Sequence, residues 1–150
     1  MPTNFIKTKK VIGLNGILLL LLLCGVAGAQ NELPEIGELK EALGKSLIYV
    51  IADGEARTAV LNAIKKHDEL ELAESADAAE LLIEYKKVST QNFGFGGTTE
   101  TGQIYVYVLR DGKRVIVWED SGTGGGFKGD TARRLINRFF RDLERLNKKK

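Results

Sequence analysis

Few residues in this 150-residue chain have types and spacing that could do chemistry. Gly124-x-Gly126-x-x-Gly129 follows a strand-like run and opens a helix-like one, the pattern that lays a pyrophosphate against bare backbone N–H groups. A dinucleotide fold also needs a second strand after that helix, with an acid about 20 residues on to hold a ribose. No such strand follows here, and Phe127-Lys128-Gly129 does not supply the Gly-Lys-Ser/Thr of a phosphate loop. No cofactor is therefore expected, although glycine N–H groups ahead of a helix could hold a simple anion. Asp53, Glu119 and Asp120 stand at predicted strand ends, where catalytic carboxylates often sit, but also helix caps and turns. No pairing of the kind acid–base catalysis requires is legible among them.

His67 is the only histidine and Cys24 the only cysteine, which excludes multi-histidine and thiolate metal sites. His67 follows Lys65-Lys66 at a helix end, where it suits the terminal carbonyls. Arg133, Arg134, Arg138, Arg141, Arg145 and Lys148 to Lys150 make the last helix basic. Phosphate of a nucleic acid or lipid is one reading of that helix, and a solvated face whose cations complement the helix carboxyl end is the other. The second is preferred, and no nucleic acid partner is expected. The chain is read as noncatalytic.

The elements that position these groups begin after residue 29. Lys7, Lys9 and Lys10 precede the apolar run Ile17 to Cys24, and the small residues Gly25-Val-Ala27-Gly-Ala29 follow. This is the layout of an export signal cleaved between Ala29 and Gln30, with Ala27 and Ala29 in the peptidase's narrow pockets. Export to the periplasm or beyond is expected, with no stable membrane anchor after cleavage. The alternatives are an uncleaved anchor over residues 11–29 and lipidation of Cys24, for which Leu23 is a bulky predecessor. Cleavage removes three of the 22 basic residues and none of the 20 acids, so the exported chain is nearly neutral.

Residues 30–45 read as a polar lead-in in which Pro34 starts a short helix carrying Ile36, Leu39 and Leu43, stopped by Gly44. Residues 46–148 read as one domain. Leu47 to Ile51 is an unbroken apolar run, expected as a central strand buried on both faces. Asp53 is expected to cap a helix whose apolar face is Ala56, Ala59, Val60, Ala63 and Ile64. Strands follow near Leu70 to Leu72 and over 81–88, 104–109 and 115–118. Asp111-Gly112 joins the last two, since both central residues of that tight turn need positive φ. Asp130 or Thr131 should cap a final helix with Ala132, Leu135, Ile136, Phe139, Phe140, Leu143 and Leu146 on one stripe. The order β-α-β-β-β-β-α predicts an α+β fold with a mixed, largely antiparallel sheet of about five strands and two helices on it. Trp118 and the tyrosines at 49, 85, 105 and 107 are assigned to packing.

Ser75-Ala-Asp77 leading into Leu81-Leu-Ile, then Val106 to Leu109, Asp111-Gly112, Val115 to Trp118 and a closing amphipathic helix resembles small exported bacterial domains. These include the amino-terminal domain of the Tol translocation protein and the curli-secretion lipoprotein family. The resemblance implies helices packed on a mixed sheet, used as an interaction domain in envelope assemblies, and it carries no catalytic residues. Segments 89–102 and 121–129, rich in glycine, are expected as loops leaving one end of the sheet, since the Asp-Gly turn occupies the other. Phe93, Phe95, Phe127 and Lys128 are the candidate contacts for an envelope protein partner. Flexible connectors whose rings fold onto the core are the alternative. Two other functions stay open: a small-ligand or anion-binding domain using the two loops, and an unrecognised hydrolase.

Overall fold

The computed structural model describes residues 34–94, 97–125 and 129–149. The export signal with Ala27, Ala29 and Gln30 lies outside the described residues, as do Phe95, Phe127 and Lys128. The chain runs β1 (Glu35–Ile36), a 3-10 turn (Leu39–Ala42), β2 (Leu47–Ile51), α1 (Gly54–Ile64), β3 (Glu71–Leu72), β4 (Leu81–Phe93), β5 (Gly97–Arg110), β6 (Lys113–Gly125) and α2 (Asp130–Asn147). One six-stranded sheet has the order β1-β6-β5-β4-β2-β3. β4, β5 and β6 form an antiparallel meander, while β1 joins β6, and β2 joins β3 and β4, in parallel. The fold is α+β with a mixed sheet. It has six strands because β1 adds to the five expected.

Both helices cover one face. Val60, Ala63 and Ile64 of α1, with Ala132, Leu135, Ile136, Phe139 and Phe140 of α2, close the main core over Ile48, Val50, Leu81, Ile83, Tyr85, Ile104, Val106, Val115 and Val117. The other face carries a smaller cluster of Leu82, Tyr107 and Ala79, with Tyr49, Tyr105, Leu109 and Ile116 beside it and Ala73 and Ala76 lapping over. The Asp111-Gly112 turn is as expected, with φ of 53° and 75°.

Several expectations are corrected. Pro34 does not start a helix: Glu35–Ile36 is drawn onto β6, where the Gly37 N–H donates to Ile116 O at 2.7 Å, and only Leu39–Ala42 turns helically. β2 is not buried on both faces. Its Ile48 and Val50 enter the core while Leu47, Tyr49 and Ile51 stay half-buried, because both helices lie on one side and only the two-residue β3 flanks it. Asp53 occupies the position before α1 without a side-chain capping bond. Gly129 at φ 78° precedes α2; Asp130 is its first residue and Thr131 donates to Glu100 O at 3.1 Å.

Trp118 breaks the alternation of its strand. Val106 pairs with Trp118 and Tyr107 with Ile116, so Val117 is an extra residue, a β-bulge. Val117 and Trp118 consequently both turn toward α2, where Trp118 lies 5.5 Å from the Phe139 ring centre.

Candidate functional site

The meander outgrows the body of the sheet. β4, β5 and β6 are 13, 14 and 13 residues long, whereas β2 pairs with β4 only from Leu81 to Glu84 and β1 with β6 only at Val115 and Ile116. Beyond those points the three strands continue as an arm. Segments 89–102 and 121–129 are thus strand, not loop, over 89–93, 97–102 and 121–125. Ser89 to Phe93 pairs with Gly97 to Thr101, and Thr99 to Gln103 with Ser121 to Gly125. Their Ser, Thr, Asn and Gly composition reads as loop because no apolar alternation marks it, yet a ladder needs only backbone groups. The strand ends Phe93, Gly97 and Gly125 lie together at the end of the meander opposite Asp111-Gly112, as expected.

Glycines make room on the arm for Tyr85 and for α2. A Cβ on buried Gly102 would lie 2.5 Å from Tyr85 Cζ and closer still to the hydroxyl. One on Gly124 would lie 2.5 Å from Thr131 Oγ1 and overlap the Arg134 guanidinium. Gly124 is therefore a strand residue under a helix and not part of a phosphate cradle. The Arg134 guanidinium donates to Thr123 O at 3.1 Å and that of Arg138 to Asp120 at 3.0 Å. Arg133 pairs with Asp130, and Arg141 and Arg145 each lie 3.7 Å from Asp142. The basic face of α2 is thus largely neutralised within the fold.

The outer strand of the arm is solvated along its length. Every residue from Lys86 to Phe93 is exposed, with Val88 at 58% and Phe93 at 57%. Val88 is itself a bulge, skipped between the pairs Lys87–Gly102 and Ser89–Thr101. Where the arm meets the body, a cleft of about 460 Å³ opens between Asp53 to Ala56 and the side chains of Tyr85, Lys87, Thr90, Thr98 and Glu100. The Tyr85 hydroxyl donates to Glu100 at 2.5 Å, and burial followed by that carboxylate raises the phenol above its usual range. On the opposite face, Tyr107 donates to Glu84 at 2.8 Å and is raised for the same reasons, and Lys86 lies 5.3 Å from the centre of the Tyr105 ring. Sequence reasoning assigned Tyr85 to packing alone and missed its carboxylate partner, since 15 residues separate them.

The remaining candidates are dispersed. Glu119 is exposed and Asp120 is engaged by Arg138 and the Ser121 N–H. Asp53 stands at the other side of the arm's base. The His67 ring packs on Phe140, 4.2 Å between centres, above an apolar hollow of about 280 Å³, and its backbone N–H, not its side chain, bonds the helix end at Ile64 O. Among the described residues no group of three His, Cys, Asp or Glu could hold a metal, and no helix is long and apolar enough to cross a membrane.

No protein-family model matches the chain, and no curated protein does. Similar solved structures include a hypothetical protein from Chlamydia trachomatis (8% identical, covering 67% of this chain and 96% of that one, TM-score 0.46). A PelC dodecamer from Paraburkholderia phytofirmans is 16% identical over 64% of this chain and 86% of that one, TM-score 0.48. A putative lipoprotein from Caulobacter crescentus is 10% identical over 65% and 86%, TM-score 0.41. These are small bacterial proteins, a lipoprotein among them.

Proposed function

We propose that this protein is an exported, noncatalytic interaction module of the cell envelope that engages a protein partner through its arm. One observation carries the reading: eight consecutive residues of β4, Lys86 to Phe93, are exposed although fixed in a strand ladder, and they end on an apolar ring. Holding such a surface in order while leaving it in water suits a contact made elsewhere, because ordered aromatic side chains dominate interface energy. Export rests on the Lys7 to Ala29 signal. The resemblance in strand order to the Tol amino-terminal domain and the curli-secretion lipoproteins supports the setting. Phe93 anchors the contact, with Phe95, Phe127 and Lys128 assigned to it from sequence. The test places a photo-crosslinking residue at Phe93 in the exporting cell. A discrete adduct with one envelope protein is expected, lost in a Phe93→Ser, Phe95→Ser, Phe127→Ser variant whose unfolding temperature is unchanged. Absence of any adduct, or a variant that unfolds far earlier, overturns the reading.

A further inference from the structure

The edge of β4 is the less protected of the meander's two. β6 is guarded, with β1 at its base and the Arg134 guanidinium on the Thr123 carbonyl. β4 has a strand neighbour on its outer side only as far as Glu84. From Tyr85 to Phe93 no backbone hydrogen bond among the described residues joins it to anything but β5. That leaves nine residues, about 30 Å of strand edge, facing solvent. Native sheets rarely leave such an edge bare, because it templates pairing with another strand.

The geometry points to a second copy of this chain, its own β4 paired antiparallel across a two-fold axis at Thr90. Three features select this occupant, and the inference rests on the arm being an interaction element. First, the shape fits only one way. β2 ends level with Glu84 and leaves the outer side of β4 open above it, so a β4 arriving from the opposite direction fills that space with its Phe93 stopping short of the end of β2. Side-by-side copies pairing β4 with β6 would collide at their bases, where β2 and β3 lie outside one strand and β1 outside the other.

Second, charge fixes the direction. The free stretch holds Lys86 and Lys87 at its base and no acid anywhere. Parallel pairing would set lysines against lysines, whereas antiparallel pairing sets them against the neutral tip, and opposed like charges are destabilising across a ladder. Third, the faces agree. Lys87 and Thr90 line the cleft on the helix side, and Asn92, bonded to Thr98 of the cleft, shares it, while Lys86 lies over Tyr105 on the other side with Ser89, Gln91 and Phe93. With Val88 bulged out, the two-fold at Thr90 sets Lys87 opposite Asn92 of the second copy on one face. It sets the apolar stem of Lys86, whose ammonium pairs with Glu84 at 3.2 Å, opposite Phe93 of the second copy on the other. The exposed ring is then covered by the partner's lysine, and two three-stranded arms become one six-stranded sheet.

The test uses the exported protein with Cys24 replaced by Ser, so that no other thiol is present. Thr90→Cys puts two thiols directly opposite each other at a spacing that suits a disulfide. It should oxidise to a covalent dimer at least about tenfold faster than Ser75→Cys in the exposed turn before β4. Sedimentation of the unmodified protein should show a monomer–dimer equilibrium, and Thr90→Lys, which opposes two cations across the axis, should weaken it by about tenfold or more without lowering the unfolding temperature. A protein monomeric at all concentrations, or a dimer indifferent to Thr90→Lys, overturns the pairing. If copies stay monomeric while the Phe93 adduct still forms, the self-pairing fails and the partner-binding reading stands. Dimers whose Phe93 adduct is with the second copy alone separate the two the other way.

Discussion

Gly102→Ala is a severe change for the addition of one methyl group. The added methyl would lie 2.5 Å from two ring carbons of Tyr85 and nearer its hydroxyl, and Tyr85 is only 7% exposed, so the ring cannot simply swing aside. Overpacking costs about 1–3 kcal/mol, and losing a large buried aromatic from its site about 3–5 kcal/mol. A partly expelled ring that also gives up its bond to Glu100 falls near 3 kcal/mol, roughly a third of a typical domain's stability. Urea unfolding is the assay: with a slope of about 2 kcal/mol/M the midpoint should fall by about 1.5 M. The decisive comparison is the Tyr85→Leu background, where the space above Gly102 is vacated and the same alanine should cost less than about 0.5 kcal/mol, a coupling well above ordinary additivity error. Equal costs in both backgrounds would refute the idea that Gly102 exists to seat Tyr85.

Three further outcomes are expected. Gly112 has open space around it but φ 75°, so Gly112→Val should cost about 1–3 kcal/mol from backbone strain alone, seen as a lower unfolding temperature. Tyr85 and Tyr107 have phenols raised by burial first and by their carboxylate partners second; stability should therefore be full below about pH 10 and decline above it, and Tyr85→Phe with Tyr107→Phe should flatten that alkaline decline in pH-dependent melts. Glu80 accepts the Ser46 and Leu47 N–H groups at 2.9 and 3.2 Å, which lowers its carboxyl; it stabilises above the usual glutamate range and loses that effect as pH falls through its folded value, so Glu80→Gln should make the acid limb of the melt less steep.

What the sequence disclosed follows from which interactions are local. The Asp111-Gly112 turn was legible because positive φ restricts residue choice, and the α2 stripe because burial on one face imposes a helical period. The α1 face was legible for the same reason. The arm was not, since Ser89 to Phe93 and Ser121 to Gly125 are held by backbone pairing that leaves no apolar pattern. Gly102 and Gly124 looked like loop residues and are strand residues whose missing side chains make room for Tyr85, Thr131 and Arg134. β1 escaped notice because two residues carry no periodicity, and its pairing depends on β6, some 80 residues away. Of the four candidate contacts, Phe93 is exposed on the arm and the other three lie outside the described residues.

The bulge at Val117 has an optical consequence. By turning Trp118 onto Phe139, it places the only tryptophan of the chain at the contact between the final helix and the sheet, away from the arm and its free edge. Indole emission therefore reports the seating of α2 and little else: a red shift signals that helix lifting off, while events confined to the arm leave the spectrum in place. Fluorescence thus separates changes at the arm from loosening of the body without any introduced label.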